Sequence, residues 1–409
     1  MKIAVWHNLP PGGGKRALYY YARGLAERGH KLEFWSPSSA NRDYCSLAPF
    51  GKEHVSSLNW SEGRKAKGLR RLRFENWDRP TMVRAIDQTC QEAASQINQG
   101  NFDILFAHPC QFLGAAQIAR YVDLPSSLYL QEPHRPLYEA RHGSPWGATE
   151  YGGNWWNSPT KVREAIRDLG HLYGMRYQVR EEIISARAYD QILVNSYFSR
   201  ENVLRAYGLN SSVCYLGIDT DLFENRKLER ERFIVGLGMM TPNKNIKFVI
   251  QAIAYLKDPR PPLVWIGSIS NLEYVQELTA LALKLGVEFQ PVTMASDEEV
   301  IDTLNRAWVM AYAPRLEPFG YAPLEANSCG LPVVAVAEGG VRESIVSEQG
   351  GIFVDGRPEA MAEGLQRLLD NPLLTKELGE NGERISVEKW CLAKALDRLE
   401  SHFKLLDIN

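Results

Sequence analysis

The sequence predicts an α/β protein with two parallel-sheet domains, on three observations. Short β-branched and aromatic runs alternate with helix-like runs along the whole chain, a pattern that sets helices on both faces of parallel sheets. The chain has 409 residues, more than one ordinary core holds at roughly 100–200 residues per domain. Between the halves lies a charged stretch without apolar periodicity, residues 221–232, including Asn225-Arg226-Lys227-Leu228-Glu229-Arg230-Glu231. It reads as a linker.

In chain order, strands are expected at residues 2–8, 31–36, 104–108, 127–132, 191–195 and 212–215, then at 233–237, 263–267, 287–291, 309–312, 332–336 and 351–354. Each is a short apolar run closed by Gly, Pro, Asn or a charged residue. The two sets make two Rossmann-like units. A glycine-rich turn, Pro10-Pro11-Gly12-Gly13-Gly14-Lys15, precedes an apolar helix over residues 17–25 that Gly29 closes. The last helix, 392–406, is amphipathic. There is no internal repeat and no low-complexity tract.

Composition excludes several classes. A net charge of −2 leaves no electrostatic footprint for nucleic acid. The six cysteines lie at 45, 90, 110, 214, 329 and 391 without C-x-x-C or metal spacing, as expected of reduced thiols in a cytoplasmic protein. The apolar start is short and soon broken by Pro10-Pro11, unlike a signal peptide. No window of about eighteen uncharged apolar residues is present to span a membrane. No strand leads into G-x-G-x-x-G with an acidic residue about twenty positions on, which argues against a nicotinamide-dependent dehydrogenase.

The most informative stretch is Glu317-Pro318-Phe319-Gly320-Tyr321-Ala322-Pro323-Leu324-Glu325. A strand ending at Tyr312 runs into it, and a helix over 321–328, closed by Gly330 and Pro332, leaves it. A strand–turn–helix start offers free backbone N–H groups to an anion. Glu317 stands in the turn beside that position, and Glu325, on the helix body, can reach another part of the same ligand, such as vicinal hydroxyls. A Glu pair on a loop and a helix is ordinarily a solvated surface pair. The Pro-Phe-Gly turn, Gly330-Leu331-Pro332-Val333-Val334 and Gly339-Gly340-Val341-Arg342-Glu343, all in order, argue against that here.

These residues resemble the retaining glycosyltransferase family 4, whose motif is Glu, seven residues and Glu, followed by a Gly-Leu-Pro-Val strand and a Gly-Gly loop ending in Glu. The resemblance implies the GT-B fold: two Rossmann-like domains facing a cleft, with a C-terminal helix crossing back to the N-terminal domain. It divides the chain into 1–220, binding acceptor and carrying an insertion around 138–158; 221–389, binding the nucleotide sugar; and 390–409, with Trp390, packing on the first domain. It also implies transfer of a hexose from a nucleoside diphosphate sugar, the co-substrate, to a glycan or lipid-linked glycan, with no cofactor and no metal.

The roles follow residue by residue. Glu317 holds donor hydroxyls, Phe319 and Gly320 position the sugar through backbone N–H groups, and Pro323 and Leu324 flank the phosphate-binding helix start. Glu325 binds the ribose. Lys244, in Val235-Gly236-Leu237-Gly238-Met239-Met240-Thr241-Pro242-Asn243-Lys244-Asn245, offsets charge on the leaving diphosphate, although a lysine there is by itself an ordinary solvated group. Gly13 and Gly14 face the diphosphate across the cleft; the segment lacks the G-K-[ST] ending of a P-loop.

Two positions depart from the family. Met239 stands where an Arg usually precedes the Lys, and Arg315 is the candidate replacement. In Tyr129-Leu130-Gln131-Glu132-Pro133-His134-Arg135, Gln131 stands where many relatives have His; it can hydrogen-bond a sugar hydroxyl but cannot shuttle a proton. His108 and His134 are the neighbouring sugar- or acceptor-facing candidates, each with a structural role as its alternative. The departures leave a second reading open, a catalytically impaired sugar-nucleotide-binding subunit that supports a partner enzyme.

Three further features complete the sequence. Asp219-Thr220-Asp221 looks like a metal-binding Asp-x-Asp but reads as a structural turn. The segment Arg64-Lys65-Ala66-Lys67-Gly68-Leu69-Arg70-Arg71-Leu72-Arg73-Phe74 is either a solvated helix face or a peripheral contact with anionic membrane. The insertion, with Trp146, Tyr151, Trp155 and Trp156 among glycines, is where acceptor identity is expected to reside.

Overall fold

The computed structural model describes residues 1–60, 79–139, 156 and 158–406. The basic 64–74 segment and most of the 138–158 insertion lie outside the described residues. Contacts divide the chain into two compact units, one of Met1–Asn195, Ser199–Cys214 and Leu396–Asn409, the other of Ser196–Phe198 and Tyr215–Ala395.

The first unit holds strands β1 (Lys2–Asn8), β2 (Lys31–Pro37), β3 (Gly51–Ser56), β4 (Ile104–Cys110), β5 (Ser126–Tyr129), β6 (Gln191–Val194) and β7 (Ser212–Val213). They form a parallel sheet in the order β3-β2-β1-β4-β5-β6-β7. β1 is central and buried from Ile3 to Asn8, as expected of a strand covered on both faces. Its long helices among the described residues include Gly13–Glu27, Arg79–Asn98 and Pro159–Ala186. One core packs Trp6, Trp35, Ile86, Leu105 and Leu128 with Val194.

β3 is the strand the sequence did not announce. Gly-Lys-Glu-His-Val-Ser has no apolar face, yet as an edge strand it needs one neighbour, and it pairs with β2 from Leu32↔Gly51 to Pro37↔Ser56. His54 stacks on Trp35 with ring centroids 4.5 Å apart and hydrogen-bonds Glu33. The first helix also begins earlier than expected, so Gly13 and Gly14 form its first turn rather than the preceding loop.

The second unit holds β8 (Ile234–Leu237), β9 (Leu263–Ile266), β10 (Phe289–Val292), β11 (Val309–Tyr312), β12 (Val333–Val336) and β13 (Gly351–Val354), ordered β10-β9-β8-β11-β12-β13 and all parallel. Two cores flank this sheet, one around Val249, Trp265, Val309 and Leu365, the other around Val235, Met310, Ala326 and Val333. The segment read as a linker is instead fastened to this unit. The Arg230 guanidinium donates to the carbonyls of Leu304, Ala307 and Cys329, and Arg226 pairs with Glu298.

The end of the chain is shared. Trp390, expected with the terminal helix on the first unit, is buried in the second, edge-on to Phe319 and Tyr215. From Leu396 the helix Leu392–Leu406 belongs to the first unit, where Phe403 meets Phe106 and Arg28 pairs with Asp397 and Glu400.

A buried carboxylate ties the first unit's long helix to its surroundings. Glu182 accepts hydrogen bonds from Gly114 N, Tyr138 Oη, Gln178 Nε2 and Tyr207 Oη. Burial pushes its carboxyl up to about 7 against those bonds. The folded state therefore holds this proton where the unfolded chain, near 4.5, has released it, and stability falls as pH rises from about 4.5 to 7. Relative to wild type, Glu182→Gln is expected to gain on the order of 3 kcal/mol over that window and nothing further above it. Urea midpoints at pH 4.5, 6 and 8 measure this, and a difference that does not change with pH contradicts it.

Candidate active site

In the second unit the chain leaves β8 toward β9 and β10 on one side, while β11 leads to β12 and β13 on the other. Such a reversal opens a crevice at the carboxyl ends of the strands. The loops that meet there are residues 238–245 after β8, 313–320 after β11 and 337–340 after β12.

Glu317 and Lys244 come from two of these loops and meet. Lys244 Nζ lies 2.8 Å from Glu317 Oε2, with both side chains about a quarter exposed. Lys244 closes a 3-10 turn, Pro242–Lys244, whose next residue Asn245 adopts a left-handed conformation before the helix Ile246–Ala254. Arg315 N donates to Asn243 O at 3.0 Å, setting the Arg315 backbone against the Lys244 loop, and Met239 is 45% exposed on that loop.

The Glu-Pro-Phe-Gly segment turns through Gly320 at φ +93°, a left-handed conformation that favours glycine, into the helix Tyr321–Ser328. Among the described residues no side chain caps that helix start, which suits its N–H groups to an anion. Phe319, Pro323, Leu324 and Glu325 are buried. Glu325 is only 2% exposed, more enclosed than a ribose-binding carboxylate on a helix body leads one to expect. Both motif glutamates act on Tyr312, whose phenol is held well above its usual range by burial and then by the charges of Glu317 and Glu325.

The Gly339-Gly340 pair explains itself by contact. A Cβ on Gly340 would stand 1.9 Å from Pro318 O, and one on Gly339 2.5 Å from Glu317 O. Gly340 N donates to Glu317 O at 2.7 Å, and Ser344 Oγ to Phe319 O. The loop after β12 is thus the bed on which the Glu317 turn lies. Beyond it Glu343 accepts from Tyr197 N, Phe198 N and Tyr215 Oη.

In the first unit, Gly14 faces the Gln131 side chain, whose amide atoms would stand 3.2 and 3.3 Å from a Cβ on Gly14. Gln131 Nε2 is buried without a hydrogen-bond partner among the described residues. Gly13, by contrast, is exposed. His108, on β4, is fully buried, and burial and then the Lys15 charge bring its imidazole down to about 3, so it is neutral. His134 precedes the short helix Arg135–Tyr138 and is half-buried. Asp219 forms the expected turn, its Oδ1 accepting from Leu222 N.

Sequence reasoning passed over His7 and Lys15, which the fold buries completely. The signals were present. His7 interrupts an apolar strand at its carboxyl end, and Lys15 shares a helix face with Leu18, Ala22 and Leu25.

Known structures share this architecture. Sucrose-phosphate synthase from Thermosynechococcus elongatus superimposes with a TM-score of 0.72 at 16% identity over 100% of both chains. Anabaena HepE in complex with UDP-glucose gives 0.68 at 17% identity over 99% of this chain and 100% of its own. A glycosyltransferase from Rickettsia africae gives 0.69 at 15%, covering 100% and 99%. The fold is that of GT-B glycosyltransferases.

The chain belongs to glycosyltransferase family 4, whose profile matches residues 11–222; the glycosyl transferases group 1 profile matches residues 217–385. Among similar sequences, an MMP α-(1→4)-mannosyltransferase of Mycolicibacterium hassiacum is 27% identical over 71% of this chain and 67% of its own. A D-inositol 3-phosphate glycosyltransferase of Streptomyces bingchenggensis is 28% identical over 64% and 67%. The ALG2 α-1,3/1,6-mannosyltransferase of Dictyostelium discoideum is 24% identical over 58% and 66%. No helix among the described residues is long and apolar enough to cross a membrane.

Proposed function

We propose that this glycosyltransferase is a retaining, metal-independent enzyme that moves a hexose from a nucleoside diphosphate sugar to a hydroxyl of a glycan or lipid-linked glycan. The observation that carries the reading is the Lys244–Glu317 pair at the strand-order reversal, beside an uncapped helix start. The relatives named as mannosyltransferases favour a hexose, and the UDP-glucose complex of HepE favours a sugar nucleotide.

The bond from the anomeric carbon to the diphosphate oxygen breaks as the acceptor oxygen attacks on the same face. The departing phosphate oxygen takes the acceptor's proton. Lys244 and the helix start at Gly320 offset the negative charge on the leaving group. Glu317 holds donor hydroxyls and fixes the Lys244 ammonium, and Glu325 binds the ribose. Gly13 and Gly14 admit the diphosphate, with Gln131, His108 and His134 toward sugar or acceptor. No nucleophilic carboxylate is required, unlike the paired-carboxylate glycosidases.

A thermal-shift panel of UDP, GDP, ADP and NAD tests the donor half, because a ligand of the native state raises stability by mass action. One nucleoside diphosphate is expected to stabilise and NAD is not; stabilisation by NAD alone refutes the assignment. Turnover is expected to survive excess EDTA, since phosphate charge is met by Lys244 and backbone N–H groups. Activity that vanishes with EDTA and returns with Mg²⁺ or Mn²⁺ refutes the metal-free mechanism.

Exposed Met239 favours a second reading, a catalytically impaired subunit that binds sugar nucleotide beside a partner enzyme. Arg315 supplies the missing cation under the first reading, so Arg315→Ala raises the donor KM several-fold. Donor binding without turnover in wild type, with the donor Kd unchanged in Arg315→Ala, selects the second.

A further inference from the structure

Three successive carbonyls of the Glu317 turn are held, each by a different group. Gly340 N donates to Glu317 O at 2.7 Å, Ser196 Oγ to Pro318 O at 2.6 Å and Ser344 Oγ to Phe319 O at 3.2 Å. The Pro318–Phe319 and Phe319–Gly320 peptides are trans, and a trans peptide points its C=O and N–H in opposite directions. A bond that fixes Pro318 O therefore turns the Phe319 N–H the other way, and one on Phe319 O does the same for the Gly320 N–H. Pro318 has no N–H to aim. Neither Phe319 N nor Gly320 N has a hydrogen-bond partner among the described residues. With its carbonyls satisfied and these two N–H groups open, the turn presents a pair of donors to an acceptor oxygen.

Gly340 and Ser344 follow β12 in the chain, but Ser196 follows β6. Residues Ser196–Phe198 belong to the second unit, although the chain on both sides of them belongs to the first. Ser196 is completely buried. Glu343 fixes the backbone beside it, one carboxylate oxygen accepting from Tyr197 N at 2.8 Å and the other from Phe198 N at 3.1 Å. Ser344 Oγ lies 3.2 Å from Val341 O as well as from Phe319 O, so its single proton is shared. The Ser196 bond is the shortest of the three holds on the turn.

We propose that Ser196 is a positioning residue for the donor hexose: its hydroxyl sets the Pro318–Phe319 peptide plane and thereby aims the Phe319 N–H at a sugar oxygen. Its role rests on the glycosyltransferase reading of the Glu317 turn, which it extends by one residue. Ser196 acts through the peptide and does not itself touch the sugar. Without the hydroxyl, Pro318 O loses a buried donor, and the peptide tilts to recover one elsewhere. The cost then falls on the hexose and not on the nucleoside diphosphate, which meets Lys244 and the helix start.

The test compares dissociation constants of a nucleoside diphosphate and its hexose ester on the full chain, for UDP with UDP-glucose, GDP with GDP-mannose and ADP with ADP-glucose. In Ser196→Ala the ratio of the hexose-ester constant to the diphosphate constant is expected to rise about tenfold, with the diphosphate constant within about twofold of wild type. Ser196→Thr keeps the hydroxyl, and its ratio should stay within about threefold of wild type. Ser199→Ala is the control for a merely structural role, because Ser199 is equally buried and its hydroxyl donates to Asn195 Oδ1 at 2.7 Å. Its ratio should not move. In protein labelled with ¹⁵N-phenylalanine, the Phe319 amide signal, assigned with Phe319→Leu, should shift further with the hexose ester than with the diphosphate, and this difference should vanish in Ser196→Ala.

An unchanged ratio in Ser196→Ala, equal losses of diphosphate and hexose-ester affinity, or the same rise in Ser199→Ala or Ser196→Thr overturns the positioning role and leaves the donor reading standing. So does a wild-type Phe319 amide that does not distinguish the hexose ester from the diphosphate. A wild type that binds none of the three pairs rejects the donor reading, and the role of Ser196 with it.

Discussion

Glu317→Ala and Lys244→Ala are each expected to lower kcat by about 10²–10³, the usual cost of removing one preorganised charge or donor from a transition state. The two side chains form one 2.8 Å pair, so their effects should not add. The double variant is expected to be no slower than about threefold below the slower single variant. Glu325→Ala should instead raise the donor KM with a smaller change in kcat, because a ribose contact is present in ground and transition states alike. Steady-state kinetics on the four variants measure this. Fully multiplicative losses at 317 and 244, or loss of donor affinity alone at 317, contradict the role division.

Gly340→Ala is expected to lower kcat by about 10² although it removes no functional group. Its Cβ would stand 1.9 Å from Pro318 O and 2.6 Å from Pro318 C, both backbone atoms that cannot swing aside. Relief requires the Glu317 turn to lift off the loop after β12 and breaks the Gly340 N to Glu317 O hydrogen bond. Overpacking of this kind costs about 1–3 kcal/mol, and a shift of about 1 Å at a catalytic group costs about 10² in rate. Denaturant midpoints together with kcat check both. Near-wild-type turnover would show that the Glu317 turn does not depend on this bed.

Much of this was legible in the chain. Most strands were readable because they are apolar runs buried on both faces, and β11 and β13 have the limits expected of them. β3 was not, because an edge strand held by a backbone ladder leaves no apolar signature in Gly51-Lys52-Glu53-His54-Val55-Ser56. The motif glutamates were readable from their spacing, but their surroundings were not. Spacing cannot tell that Glu317 meets Lys244 while Glu325 is enclosed, since both follow from how three loops pack. Arg230 misled for a related reason: a charged stretch looks like a linker until three carbonyl partners, far off in sequence, are in view. His7 and Lys15 each break a hydrophobic pattern at one position, a signal easily read as noise without the fold.

The terminal helix sets an order of events during synthesis. Leu399 and Phe403 are buried in the first unit, and Leu396 packs so closely on Gly24 that a Cβ there would stand 2.2 Å from Leu396 Cδ1. These residues leave the ribosome only after the whole of 215–395. The second unit therefore has all but its short 196–198 segment in one continuous stretch and can close while the chain is still growing. The unit that begins first is the one that finishes last, and until it does the side chains around Gly24 and Phe106 remain open to solvent or to a chaperone.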